Sequence, residues 1–411
     1  MRAEVIAIGD ELTTGQRLDT NSQWLSQRLT ELGVALAFHT TVGDDLEDNV
    51  AVFRTAIDRA DLVVVTGGLG PTADDLTRDA LAAAVGVALV RDESALEHIR
   101  QLFERRGRDM PERNAMQADF PVGATPIANP FGTAPGIEMR VARAGGECVV
   151  FALPGVPTEM HEMWQATVRP RIEQLRPEPR VICHRRIKCF GVGESHLEAM
   201  LPDLISRNRE PRVGITVSDA TITLRITASG RNEQECFTAM EPTVATIRAA
   251  LGTLVFGEED DELEHVVVRL LAERNQTLAV AEWATEGLVT QWLSTVTGGG
   301  LPLVFGKTIA DLEQLTEFIR PATLPDGVKP HDSGVATVLA EAAGREKQAD
   351  CSLGIAAFPP ETDAPDAHVC VTLTTPERTR KLRFPCAAHP AILRGRTGKQ
   401  ALNALRLTLL G

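Results

Sequence analysis

The chain contains no tyrosine, and its 411 residues include only 13 Phe and 4 Trp. A surface that stacks successive bases of a single strand would have few side chains to draw on. Cations are in deficit too: 42 Lys and Arg stand against 56 Asp and Glu, a formal net charge of −14. That balance argues against sequence-independent nucleic-acid binding, which needs clustered cations, so no nucleic-acid partner is expected. No apolar run approaches the ~20 residues of a membrane span. The apolar stretch near Met1 is too short for a signal peptide, so a cytoplasmic chain without a membrane partner is expected. The seven cysteines, an odd number with no C-x-x-C, fit neither a zinc ribbon nor a disulfide framework. They read as reduced thiols packed as small hydrophobes.

What is present is a long chain of near-average globular composition. At ~100–200 residues per domain, its length predicts two to four domains. Residues 1–175 alternate strand-like and helix-like segments. Val5-Ile6-Ala7-Ile8 ends in Gly9-Asp10, and Leu36 to Val42 ends in Gly43-Asp44-Asp45. The apolar run Leu62-Val63-Val64-Val65 breaks at Thr66-Gly67-Gly68-Leu69-Gly70-Pro71. Repeated units of this kind predict an α/β fold, a parallel sheet with helices on both faces. Ligands bind such sheets outside the carboxyl ends of the strands.

Leu175-Arg176-Pro177-Glu178-Pro179 reads as a linker. Residues 180–255 read as a small α+β unit, with alternation in Thr221-Ile222-Thr223-Leu224-Arg225-Ile226-Thr227. Residues 258–411 form a third, α/β unit. Its last segment, Lys399 to Leu410, is an amphipathic helix with Leu402, Leu405 and Leu409 on one face, suited to core or to an interface.

The strongest chemical signal is Thr66–Thr77. Its three glycines allow close backbone approach, and their N–H groups can cradle phosphate oxygens. The pattern is neither a P-loop nor a dinucleotide fingerprint. Asp74 and Asp75 are unsuited to gripping phosphate but suited to holding Mg²⁺ or a similar hard cation that bridges to it. Gly9-Asp10-Glu11 and Gly43-Asp44-Asp45 should converge on the same place, although Asp also caps helices. Asn129-Pro130-Phe131-Gly132-Thr133-Ala134-Pro135-Gly136 and Leu153-Pro154-Gly155-Val156-Pro157-Thr158-Glu159-Met160 are two further turn-rich loops. His161 is expected on a helix surface.

Gly9–Leu12, Asp19–Ser22, Val42–Asp45, Thr66–Thr77, Asn129–Gly136 and Leu153–Met160 together resemble the CinA family. The resemblance implies a molybdopterin-binding fold like that of the MoaB and MogA proteins for residues 1–175, and a KH-like linker domain for 180–255. It implies an ADP-ribose pyrophosphatase giving AMP and ribose 5-phosphate, with divalent metal (Mg²⁺ or Co²⁺), potassium and a homodimer. Carried over by position, Asp44, Asp75 and Glu11 are the catalytic candidates, and Asp75, Asp44, Asp10 and Glu159 the metal candidates. Gly67, Gly68, Gly70, Thr72, Asn21, Asn129, Thr133 and Gly155 are the substrate-binding candidates. The alternatives are a MoaB-like pocket that holds a pterin or nucleotide without turnover, a molybdopterin adenylyl transfer enzyme, and an interaction scaffold.

Residues 258–411 resemble the family's nicotinamide mononucleotide deamidase domain in layout but depart from it at the active turn. Where active relatives read Glu-Ser-Cys-Thr-Gly-Gly, this chain has Glu282-Trp283-Ala284-Thr285-Glu286-Gly287. An indole offers only an N–H donor and cannot replace a serine nucleophile. Ala356-Ala357-Phe358-Pro359-Pro360 stands where the family has a glycine-rich loop. Deamidase activity is therefore expected to be absent; the alternative is a relocated nucleophile such as Thr285 or Ser294.

Overall fold

The computed structural model describes residues 1–176, 180–206, 209–324, 327–362, 364–387 and 389–411. Pro177, Glu178 and Pro179 of the expected linker lie outside the described residues. Two compact units are described: Met1–Cys183 with Ser229–Thr238, and His184–Ala228 with Ala239–Gly411.

A six-stranded sheet builds the N-terminal unit, in the order Ala35–Val42, Arg2–Ile8, Leu62–Thr66, Gly146–Leu153, Gly136–Arg143, Thr125–Ile127. The first four strands are parallel. The last two are antiparallel, so the sheet is mixed rather than wholly parallel. The cause is local: Arg143 and Gly146 pair directly across a two-residue turn, a connection that only antiparallel strands permit. The parallel strands alternate sides. Ile6, Val63, Val65 and Val150 face one core, while Val5, Val64, Val149 and Phe151 face the other. Burial on both faces explains why Leu62–Val65 is apolar without a break.

Register decides where the loops go. Ile8 pairs with Val42, Ala7 with Thr66, and Thr66 with Leu153. Four strand ends therefore finish side by side, and the loops after them share one sheet edge.

In the second unit, the hairpin Arg212–Ser218 to Thr221–Gly230 turns through Asp219 (φ 47°) and Ala220 (φ 61°), as a two-residue turn with both φ positive requires. A second sheet runs Leu303–Thr308, Leu278–Glu282, Cys351–Ile355, His368–Thr374, Thr379–Pro385. The last helix begins at Pro390, earlier than the expected Lys399, because His389 caps it and Pro suits the first helical turn. Leu402, Leu405 and Leu409 pack into this unit's core beside Leu263 and Val267. All seven cysteines are free thiols and six are buried. Among the described residues, no helix is long and apolar enough to cross a membrane.

Candidate active site

The glycine loop leaves its strand in a left-handed backbone. Gly67 has φ 107° and Gly68 φ 64°. A Cβ on Gly67 would stand 2.3 Å from the Ile8 carbonyl oxygen, and one on Gly68 2.3 Å from Thr77 Oγ1. Both glycines are thus required by the loop's own packing before any ligand is considered. The loop amides are not equivalent. Gly67 N–H donates to the Leu153 carbonyl (3.1 Å) and Gly70 N–H to Asp75 Oδ1 (2.8 Å). The amides of Gly68 and Leu69 donate to none of the described residues, which leaves them as the donors for a ligand.

Asp75 closes the loop. Its Oδ1 takes the Gly70 amide, and its Oδ2 takes both the amide (2.8 Å) and the hydroxyl of Thr72. The Thr72 hydroxyl is therefore engaged within the loop. Beneath lies Arg78, only 2 % exposed, donating to the Leu69 carbonyl at 2.5 Å and the Gly70 carbonyl at 3.4 Å. Burial pulls its pKa down to about 10, with Asp75, Asp79 and Asp119 opposing the fall. It stays charged at neutral pH and places a cation under the loop. Fully buried Gln117 also reaches the Leu69 carbonyl (3.4 Å).

The acidic turns divide their roles. Asp45 caps the helix Leu46–Arg59 through the Asp48 amide (3.0 Å). Asp10 and Asp44 exchange bonds: Asp10 N–H donates to Asp44 Oδ2 (2.9 Å) and Asp44 N–H to Asp10 Oδ1 (3.0 Å). The Asp44 pKa is raised, chiefly by desolvation, with Asp10, Asp74 and Glu11 adding negative charge against the lowering bond from Asp10. Asp74 is exposed and its pKa is lowered, with the nearby Thr72 side chain first among the causes.

Among the described residues, no three His, Cys, Asp or Glu side chains gather as a preformed metal centre. Of the four expected metal candidates, Asp44, Asp75 and Glu159 line one cavity, and Asp10 is bonded to Asp44. Asp75, Asp10 and Asp44 each accept from a backbone amide, and Glu159 Oε2 accepts from Asn129 Nδ2 (2.7 Å). Glu11, Asp44 and Asp74 line one cavity and carry like charge, and each offers the hard oxygen donors that a Mg²⁺-like cation takes singly beside waters and phosphate.

A cavity of about 570 Å³ joins these parts, lined by the glycine loop, Glu11, Asp44, Asp74, Asp75, Thr133, Gly155 and Glu159. Its volume falls within the ~300–1,000 Å³ range of ligand pockets. Asn21 crosses the site floor, donating to Thr66 Oγ1 (3.0 Å) and to the Gly155 carbonyl (2.9 Å), with its Oδ1 left over. Asn129, 1 % exposed, is wholly occupied. It donates to the Ala134 carbonyl and Glu159 and accepts from the Phe131 and Gly132 amides. It shapes the loop and has no donor for substrate. Sequence reasoning missed Arg17, which lines the cavity, and Arg78 and Gln117 beneath the loop. Arg78, one residue after the Thr66–Thr77 stretch, was the available signal. His161 stands on the helix Pro157–Met163, as expected, half-buried and stacked on Trp24, a contact the sequence did not indicate.

In the second unit, Glu282 is fully buried. It accepts from Thr285 Oγ1 (2.6 Å), the Val289 and Thr290 amides (3.1 and 2.8 Å) and Thr290 Oγ1 (2.5 Å). Thr285 is fully buried. Trp283 packs against the core containing Ile309 and Leu315, and exposed Glu286 pairs with Arg394 at 2.5 Å.

Residues 4–174 match the family model described as a probable molybdopterin binding domain, and residues 184–257 the KH domain of damage-inducible protein CinA. A CinA-like protein of Frankia casuarinae is 38% identical over 403 residues, covering 94% of this chain and 91% of that one. A putative competence-damage inducible protein of Thermoanaerobacter pseudethanolicus is 34% identical over 418 residues, covering 100% and 99%. The crystal structure of a CinA protein of unknown function from Thermoplasma acidophilum is 37% identical, covers 41% of this chain and 96% of that one, and has a TM-score of 0.37.

Proposed function

The chain belongs to the CinA family, and from that premise we propose that its N-terminal unit hydrolyses the pyrophosphate of ADP-ribose to AMP and ribose 5-phosphate. One observation carries the reading: a single cavity is lined both by Gly68 and Leu69, whose amides have no partner among the described residues, and by Glu11, Asp44 and Asp74. The amides, with the buried Arg78 cation behind them, stabilise charge on phosphate oxygens. Asp44 orients a water and takes its proton, a task its raised pKa suits. The water oxygen forms a bond to one phosphorus, the bridging P–O bond breaks, and the bridge oxygen leaves with the other phosphate. Glu11 and Asp74 would hold a divalent cation, which would neutralise the pyrophosphate charge and leave Asp44 to the water.

The test is AMP formation by the pure full chain from ADP-ribose, with and without Mg²⁺, Co²⁺ and K⁺. AMP that requires the divalent cation and disappears in Asp44→Asn supports the reading. No AMP under any of these conditions sinks it.

A second reading, binding of a pterin or nucleotide without turnover, is favoured by the description of the model that matches residues 4–174. Tight binding of such a ligand with no product release distinguishes it.

The C-terminal unit, in this reading, has lost nicotinamide mononucleotide deamidase chemistry. Support comes from Trp283 at the serine position and from Thr285, whose hydroxyl is buried against Glu282. Ammonia release from nicotinamide mononucleotide by the pure protein would overturn it.

A further inference from the structure

Two of the chain's four tryptophans meet beside the site. Trp24 stands edge-on to Trp164, with ring centroids 5.9 Å apart at 82°. It stacks on His161 at 4.0 Å and 22°. The stack borders a second cavity of about 290 Å³ lined by Thr20, Asn21, Gln23, Trp24, Pro157 and His161. Thr20 and Asn21 also line the pocket with Thr66, Gly67 and Gly155, and Pro157 lines the main cavity.

Helix geometry produces this arrangement. Asn21 and Trp24 are three residues apart on the helix Thr20–Glu31, and Pro157 and His161 four apart on the helix Pro157–Met163. Each pair shares a helix face, so the aromatic pair lies about one turn, ~5.4 Å, from the residues that border the loop. A ribose spans a gap of that order between phosphate and base. Trp24 packs against the core that holds fully buried Leu25 and Leu29 and has Arg28 Cζ 5.6 Å from its ring centroid. Yet it and His161 stay half-buried at the cavity, where the imidazole presents its other face. The imidazole makes no hydrogen bond with the described residues. Burial first, then Arg28, lowers its pKa, which keeps the ring neutral. Gln23 and Gln27 at the rim offer amide donors and acceptors to the edge of a flat heterocycle.

We propose that the Trp24–His161 stack is the base-binding subsite of the N-terminal unit, holding the nucleobase of a nucleoside phosphate while its phosphates lie at Gly68 and Leu69. This rests on the reading of the main cavity as a nucleotide site, but not on turnover there.

The experiment is calorimetric titration of the full chain with AMP and, as a probe without a base, ribose 5-phosphate. Trp24→Ala weakens AMP about ten-fold or more, the scale of losing one stacked base, and leaves ribose 5-phosphate within about two-fold. Trp24→Phe keeps most of the AMP affinity. His161→Ala, which removes a less buried ring, guards against misfolding of the tryptophan variant and weakens AMP in the same selective way. Unchanged AMP affinity in both alanine variants overturns the proposal, as does equal loss for both ligands or no AMP binding to the wild type. AMP binding that depends on Trp24 without AMP formation from ADP-ribose would sink the hydrolase reading alone and leave the subsite standing.

Discussion

Asp10 and Asp44 hold each other through their backbones, each amide donating to the other's carboxylate at 2.9 and 3.0 Å. Two acids are thereby fixed within Coulombic reach, and Asp44 titrates above its ordinary 3.8 because desolvation and its acidic neighbours disfavour the anion. The folded state therefore binds this proton more tightly than the unfolded chain. Ionised Asp44 opposes folding above its folded pKa, and the opposition fades as the pH falls through that value. Asp44→Asn should be more stable than the wild type at neutral pH, with the advantage closing toward the acid range. Urea denaturation at several pH values checks this. The same variant should lose AMP formation by about 10²-fold or more, the usual scale for removing a general base.

Asp75 predicts a different outcome. Its carboxylate accepts three bonds from Gly70 and Thr72, so its removal frees half-buried loop donors. Asp75→Ala should cost about 1–3 kcal/mol in stability as well as activity. Thr72→Ala, which removes one of the three bonds, should cost about 1 kcal/mol. If Asp75→Ala abolished AMP formation with an unchanged unfolding midpoint, Asp75 would be acting on metal or substrate rather than on the loop.

Two glycines separate packing from ligand approach. Gly67→Ala meets the Ile8 carbonyl oxygen at 2.3 Å and needs a left-handed backbone, so it should destabilise by about 1–3 kcal/mol. The Cβ of Gly155→Ala would meet only Gly67, its Cα at an ordinary 3.5 Å and its N at 4.0 Å. That variant should unfold like the wild type while raising KM for ADP-ribose, because the methyl projects into the cavity space. Equal KM values would remove Gly155 from the substrate-binding candidates.

The strands of the parallel half, though not their order, were legible because each buried strand is a short apolar run followed closely by a glycine or an acid. The mixed edge was not, because the Gly136–Arg143 strand alternates weakly and its partner is set by the turn at Ala144-Gly145. Within the site, the acidic turns were visible but their division of labour was not. Asp45 caps, Asp44 faces the cavity, and nothing in Gly43-Asp44-Asp45 distinguishes them before the helix start is known. Arg78 lay hidden because burial of a cation beneath a loop depends on tertiary packing. The Trp24–His161 stack joins residues 137 positions apart in the chain, by subtraction of 24 from 161, and no local pattern encodes it.

Glu282 gives the last prediction. The resemblance places it at the first position of the deamidase turn. Here it is fully buried, and its two oxygens take four bonds from Thr285, Val289 and Thr290. Glu282→Ala should cost about 3 kcal/mol or more, because each donor left without an acceptor carries its own desolvation penalty. Glu282→Gln, which keeps one acceptor oxygen, should fall between it and the wild type. Denaturation followed by tryptophan fluorescence reads both. Restoring the hydroxyl alone should not restore the chemistry. In Trp283→Ser, Glu286 would keep its side chain, its left-handed backbone (φ 49°) and its pairing with Arg394 at the position where relatives carry glycine. No ammonia should be released from nicotinamide mononucleotide by that variant. Release at a measurable rate would mean that Trp283 alone silences the domain and that the rest of the turn is still competent.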